Sequence, residues 1–188
     1  MIKIGITGSL ASGKSTASKI LSYKRGPLFS ADKAVKELYK NRKFKSLLIK
    51  KFKITNKRKI KKFIKNNILN DNRNIKKLEK IIHPLVRKKM HKFSKLHQNK
   101  KIIFYEIPLL IESKLMKHFN VIIFIKANRK LRFKRFRAKK GNEKLFELLN
   151  NRQMLDKKKI NHCDFVVVNE KNINFLKRKL IAIINEYV

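Results

Sequence analysis

Apolar and polar positions alternate first at the start of the chain, where Ile2-Lys3-Ile4-Gly5-Ile6-Thr7 is β-branched and spaced as a strand. Small residues and glycines follow. Ala17, Ile20 and Leu21 then fall on one face of a helix over 14–21. A short second strand is expected at 27–29, and helices at 34–39 and 44–52, the latter on the spacing of Phe44, Leu47, Leu48 and Phe52. Ile60, Phe63, Ile64 and Ile68 predict another helix; Ile75, Leu78, Ile81 and Ile82 predict one more, which Pro84 ends or kinks before a further helix over 85–96. The continuous apolar runs Ile102-Ile103-Phe104-Tyr105 and 121–125 read as strands buried on both faces of a parallel sheet, with a short helix expected over 108–116. Helices at 131–137 and 144–152, broken at Gly141-Asn142, precede a last strand at 165–168 and a closing amphipathic helix at 173–184.

Strands alternating with helices predict an α/β architecture, a parallel sheet joined by crossover helices. The helical stretch over 34–96 is too long for one crossover, and is read as a helical insertion standing over one edge of the sheet. No fixed-period repeat and no Pro/Gly/Ser-rich linker divides the 188 residues, so a single domain is expected. One cysteine excludes an internal disulfide and a cysteine-built zinc site. No apolar run reaches the roughly 20 residues that span a bilayer, and the first seven residues are too short for a secretory hydrophobic segment. A cytoplasmic protein that does not enter membranes is the expectation.

The chemistry is concentrated in Gly8-Ser9-Leu10-Ala11-Ser12-Gly13-Lys14-Ser15, a full G-x-x-x-x-G-K-[ST] match between a strand and a helix. Glycines let the backbone turn its N–H groups onto phosphate oxygens, and the helix beginning near Gly13 directs its positive end at the same oxygens. Lys14 is expected on the β- and γ-phosphates, the Ser15 hydroxyl on Mg²⁺, and Thr16 on a further phosphate oxygen. The whole run from Gly8 to Thr16 is thus the candidate ATP site of a P-loop nucleoside-triphosphate hydrolase fold. An N-K-x-D base-reading motif of GTPases is absent, and the chain has no second nucleotide-binding half, which leaves the small metabolite and nucleoside kinases as the best fit.

The later motifs narrow this. The run from Ile6 to Thr16 is similar to the T-G-G-I-G-S-G-K-S-T opening of the dephospho-coenzyme A kinases. In the family's order follow Ser30-Ala31-Asp32 (for D-A-D), His83-Pro84-Leu85-Val86-Arg87 (for H-P-L-I/V-R) and Pro108-Leu109-Leu110-Ile111-Glu112 (for P-L-L-F-E). Gln153 and Asp164-Phe165-Val166-Val167-Val168-Asn169 match its closing run. The resemblance implies transfer of the ATP γ-phosphate to the ribose 3′-hydroxyl of dephospho-CoA, the last step of coenzyme A synthesis. It implies that Asp32 accepts or orients the proton of the acceptor hydroxyl; the alternative for Asp32 is a helix cap. It also places His83, Arg87, Leu109 and Glu112 on the acceptor side, although His83-Pro84 reads equally as a helix break, and Glu112 as an ordering contact. Glu106 ends a buried strand where P-loop proteins place a carboxylate for Mg²⁺; the family commonly has Asp there, and the longer Glu would act through a water. The basic segment within 130–153 reads as a lid, with Arg135 and Arg137 as candidates for delivering charge to the transferring phosphoryl group and Arg135 preferred. Asn169 follows the last strand, where the family contacts adenine.

This sequence departs from the family at Ser30 and Val168, which replace acids, and at Ser9 and Ala11, which replace glycines; the last two matter only where positive φ is required.

Charge is the remaining feature. The chain carries 51 Lys+Arg against 12 Asp+Glu, a formal net charge of +39. A nucleic-acid-binding ATPase, with Phe44, Phe52 and Phe63 as stacking platforms, is one reading. Cations spread along a chain rich in Lys, Ile and Asn read better as composition, and the helical spacing of the phenylalanines reads better as core. No specific nucleic acid partner is therefore expected. Another small P-loop kinase, for a nucleoside, nucleotide or shikimate, is the second alternative. Oligomeric state is not legible.

Overall fold

The computed structural model describes residues 1–55, 60, 63, 64, 66, 67, 71 and 73–187; the expected helical position Ile68 lies outside them. The chain divides into two compact units, one of Met1–Ser30 with Ser94–Val188, the other Ala31–Phe93.

The first unit is built on five parallel strands: β1 (Ile2–Gly8), β2 (Leu28–Ser30), β3 (Ile102–Glu106), β4 (Val121–Lys126) and β5 (Phe165–Val168), in the order β2-β3-β1-β4-β5. β1 is paired on both sides, Ile6 opposite Glu106 on β3 and Gly8 opposite Ile125 on β4. That is why β3 from Ile102 to Phe104 and β4 from Val121 to Ile125 are apolar and buried: a central parallel strand is covered on both faces. Helices α1 (Lys14–Ser22) and, at the end of the chain, Ile173–Ile184 pack over the sheet. Their buried positions Ala17, Leu21, Leu176, Leu180 and Ile184 join Ile4, Ile6, Phe104, Ile123 and Ile125 in one core.

The second unit is helical among its described residues. It contains α2 (Ala31–Leu38), α3 (Arg42–Phe52) and most of α4 (Arg73–Leu96). Phe44, Leu48, Phe52, Ile54, Ile60 and Ile64 form its core, with Phe63 half-buried against them, so these phenylalanines are packing residues and not exposed stacking surfaces. Leu47, placed by its spacing on the same face, is instead 38% exposed.

Three local expectations are corrected. Pro84 neither ends nor starts a helix: α4 runs through it for 24 residues. An internal proline removes a backbone bond and costs about 3 kcal/mol, but Leu78, Ile81, Ile82, Leu85 and Val86, on both sides of it, all pack against the unit's core, and this burial outweighs the local penalty. The segment after β3 is not the short helix expected over 108–116. It is a series of turns closed by bonds such as Ser113 N–H to Leu109 O (2.9 Å) and Leu115 N–H to Leu110 O (3.0 Å), with Lys114 left-handed, followed by one 3₁₀ turn at Met116–His118. The helix expected from residue 34 starts at Ala31 directly after β2, which puts Asp32 inside its first turn and not at the cap.

The remaining helices, α5 (Arg129–Arg137), α6 (Glu143–Asn151), α7 (Asp156–Ile160) and α8 (Ile173–Ile184), connect β4 to β5 and close the chain. Asn128, Asn142 and Asn172 cap α5, α6 and α8 by accepting from the backbone N–H three residues on. No helix among the described residues is long and apolar enough to cross a membrane.

Leu180 is fully buried, so Leu180→Ala will lower the free energy of unfolding by roughly 2–5 kcal/mol in urea titrations, whereas Leu47→Ala will change it by less than about 0.5 kcal/mol.

Candidate active site

β1 delivers the chain to a loop that needs an unusual backbone. Gly8 sits at φ +147°, where a Cβ would come within 2.3 Å of the Ile125 carbonyl oxygen. Gly13, at φ +101°, precedes the first residue of α1, and a Cβ there would meet the Asn169 amide nitrogen at 2.1 Å. Between them Ala11 is left-handed at φ 58°, a conformation that is unfavourable for a residue with a Cβ. The replacement of glycine at this position therefore matters, while that at Ser9 does not: Ser9 is not among the residues of positive φ.

Inside the turn Lys14 is 8% exposed and donates from Nζ to the carbonyl oxygens of Gly8 (3.0 Å) and Ser9 (2.7 Å). The Ser12 hydroxyl is buried with no hydrogen-bond partner among the described residues. At the second residue of α1, the Ser15 hydroxyl donates to the carboxylate of Glu106, which is 5% exposed at the end of β3. Two hard oxygen ligands thus stand side by side at the mouth of the loop, a donor set that suits Mg²⁺. The described residues hold no cluster of three His, Cys, Asp or Glu that would form a metal site by itself.

Asn169 and Arg135 brace the other flank. The Asn169 amide donates to the Ser12 carbonyl oxygen at 2.8 Å, and the Arg135 guanidinium donates to the carbonyls of Ser12 (3.2 Å) and Asn169 (3.1 Å). Arg137 is exposed and stacks over Phe133. Glu112 and Leu109 lie in the turns after β3. The Glu112 carboxylate accepts from the Met154 N–H (3.2 Å) and pairs at 2.7 Å with Lys159, whose side chain is completely buried.

Four participants escape sequence reasoning as site residues. Gln153, visible only as part of the family resemblance, accepts the Leu10 N–H at 2.8 Å. Asp156 accepts the Ser9 hydroxyl. Arg132, 7% exposed, reaches the Leu10 carbonyl oxygen (3.4 Å) and the Asn150 side chain (2.8 Å), and Lys159 anchors Glu112. Burial pulls the Arg132 guanidinium below its ordinary pKa while the nearby Asp156 carboxylate opposes the shift. The only advance signal for Arg132 was its place in the basic segment.

The remaining expected residues lie in the second unit. Asp32 is exposed in the first turn of α2, and Arg87 is exposed on α4. His83, one turn before Arg87, is half-buried; burial lowers its pKa, Arg87 adds to the fall, and Glu79 opposes it.

With this geometry in view, a family model described as dephospho-CoA kinase matches residues 2–174. The chain belongs to the dephospho-CoA kinase family. A dephospho-CoA kinase of Bartonella henselae is 34% identical over 186 residues, covering 96% of this chain and 95% of the relative. Among solved structures, a protein from Thermus thermophilus superposes with a TM-score of 0.80 at 27% identity, covering 100% of this chain and 98% of its own. A dephospho-CoA kinase from Campylobacter jejuni gives 0.67 at 25% identity, covering 98% and 96%. The family is one of ATP-dependent kinases that phosphorylate a hydroxyl group, and the parallel sheet with its P-loop is the fold they share.

Relief of the left-handed strain will make Ala11→Gly more stable by roughly 0.5–1 kcal/mol in urea denaturation, after allowing for the greater freedom of glycine in the unfolded chain. For His83, the unfolded imidazole titrates at its ordinary 6.5 and the folded one lower, so the unfolded state binds the proton first. The stability tied to His83 is complete above pH 6.5 and is lost as pH falls through the depressed folded value. Melting temperatures followed from about pH 7.5 to about pH 5.5 will fall more steeply for the wild type than for His83→Asn.

Proposed function

We propose that this chain transfers the γ-phosphate of ATP to the ribose 3′-hydroxyl of dephospho-CoA, using Mg²⁺, in a cytoplasmic setting. The observation that carries the proposal is the P-loop, with Lys14 buried inside it and Ser15 against Glu106, in a member of the dephospho-CoA kinase family.

The roles follow from the groups present. Backbone N–H groups of Gly13, Lys14 and Ser15 at the start of α1 receive phosphate oxygens, while the N–H groups of Leu10, Ser12 and Thr16 are already held by Gln153 and by the Ser9 and Gly13 carbonyl oxygens. Lys14 exchanges the carbonyl oxygens of Gly8 and Ser9 for the more negative β- and γ-phosphate oxygens. Ser15 and Glu106 would hold Mg²⁺, which supplies charge neutralisation on the phosphate chain. Arg135, beside Ser12, supplies further positive charge where the transferring group develops charge, and Asn169 lines the nucleotide side. Asp32 accepts the proton of the attacking hydroxyl or orients it, and His83, Arg87 and Leu109 serve the acceptor, the fork of Arg87 being suited to its phosphates. Residues 34–96 would form the acceptor-binding insertion and residues 130–153 the lid. Glu112 anchors the segment around Met154 through one carboxylate oxygen, which meets Lys159 and a backbone N–H, and its other oxygen, without a hydrogen-bond partner among the described residues, is the one that would serve the acceptor.

ADP formation from ATP will rise on addition of dephospho-CoA and stay at background with deoxyadenosine, shikimate or DNA; stimulation by DNA alone would overturn the proposal. Lys14→Ala will lower kcat/KM by about 10³-fold or more. Asp32→Asn will lower kcat by roughly 10²–10⁴-fold with the dissociation constant for ATP held within about twofold. An Asp32→Asn enzyme that keeps its kcat and only melts earlier would reassign Asp32 to helix stability.

A further inference from the structure

The loop that cradles phosphate has an internal weakness. Its outer limb, Ser9-Leu10-Ala11, contains no glycine, yet Ala11 is left-handed. A residue with a Cβ stays in that region only when its surroundings hold it there. Within the loop the Ser12 N–H (3.1 Å) and the Lys14 ammonium (2.7 Å) both donate to the Ser9 carbonyl oxygen, and from outside the hold comes from residues 153–159 together with one residue of α5. Gln153 takes the Leu10 N–H at 2.8 Å, Asp156 takes the Ser9 hydroxyl, and Arg132 reaches the Leu10 carbonyl oxygen at 3.4 Å. Both backbone polar groups of Leu10 are therefore engaged by side chains more than 120 positions away. The segment is itself anchored: the Met154 N–H and the buried Lys159 ammonium both meet the Glu112 carboxylate.

We propose that Gln153 and Asp156 are positioning residues for the nucleotide. They act as a strap on the outside of the P-loop that keeps Ser9 and Leu10 turned outward and Ala11 left-handed, so that the N–H groups after Ala11 stay aimed at phosphate before ATP arrives. Without the strap the limb relaxes towards φ < 0 at Ala11, and ATP must rebuild the cradle as it binds, which weakens its affinity by the fraction of time the cradle is formed. The strap acts through the loop and touches no reacting atom. The Asp156 carboxylate contributes by accepting a hydrogen bond; its negative charge opposes phosphate binding at longer range, so its value lies in geometry.

The proposal rests on reading the P-loop as an ATP site, and its test is a direct titration of the full chain with ATP in the absence of dephospho-CoA, alongside steady-state kinetics. Gln153 and Asp156 are only partly buried, so their variants are compatible with folding. Loss of one such bond predicts a roughly tenfold rise in the dissociation constant for ATP in Gln153→Ala and Asp156→Ala. KM for ATP will rise in parallel, while kcat at saturating ATP falls by less than about twofold. Asp156→Asn, which retains an acceptor, will keep most of the affinity. The decisive protein is Asp156→Ala with Ala11→Gly: glycine adopts the left-handed turn without a hold, and affinity will return to within about threefold of wild type. A role confined to stability would move the melting temperature of Asp156→Ala and leave ATP affinity unchanged, and that result overturns the proposal. So does a double variant that binds ATP as weakly as Asp156→Ala. If the wild type binds ATP but does not phosphorylate dephospho-CoA, the functional reading falls while the strap is still tested by the same titrations.

Discussion

Everything chemical in this protein depends on how β1 ends. Paired with β3 on one side and β4 on the other, it is the middle strand of the sheet, and at Gly8 it must turn against the Ile125 carbonyl oxygen with no room for a side chain. From that turn the Lys14 ammonium is buried and donates to two carbonyl oxygens. A buried cation that donates to neutral carbonyl dipoles can exchange them for a polyanion. The Glu106 carboxylate follows from the same pairing: because Ile6 lies opposite Glu106, the register of β1 with β3 sets the acid at the height of Ser15.

The parts legible in the sequence were those whose information is local. β5 and α8 begin and end where apolar spacing and flanking polar residues place them, and the P-loop is a contiguous string whose glycines mark its turns. What was not legible depends on partners far along the chain. Gln153 and Asp156 meet residues 143 and 147 positions earlier, and nothing near them in the sequence announces those bonds. Helix α7 has five residues, too few to show a period. Pro84 misled for the opposite reason: the local rule is sound, but a helix with apolar residues packed on both sides of the proline gains more from burial than it loses at one peptide. Ala11 shows a third kind of limit, because a substitution in a motif reveals its consequence only when the backbone angle is known.

The excess of cations takes a different meaning once the carboxylates are located. Among 12 acids in a chain of net charge +39, Glu106 holds Ser15, Asp156 holds Ser9, Glu112 holds Lys159, and Asp164 accepts the Ile122 N–H at the junction of two strands. Lysine accumulates on exposed faces, where a charge is solvated and costs little, whereas these four acids of the first unit each stand where an acceptor is used.

The Glu112–Lys159 pair has a consequence for how such a sequence can change over time. An ion pair with one partner wholly out of water contributes little net stability compared with two well-packed apolar groups, but losing either partner strands a charge in the interior. Stepwise replacement is therefore blocked at both positions, and only a simultaneous exchange passes. In a chain that has drifted so far towards lysine, the two sites form a ratchet: Lys159 is held by its acid, and Glu112 cannot join the drift without taking the loop after β3 and the segment around Met154 with it.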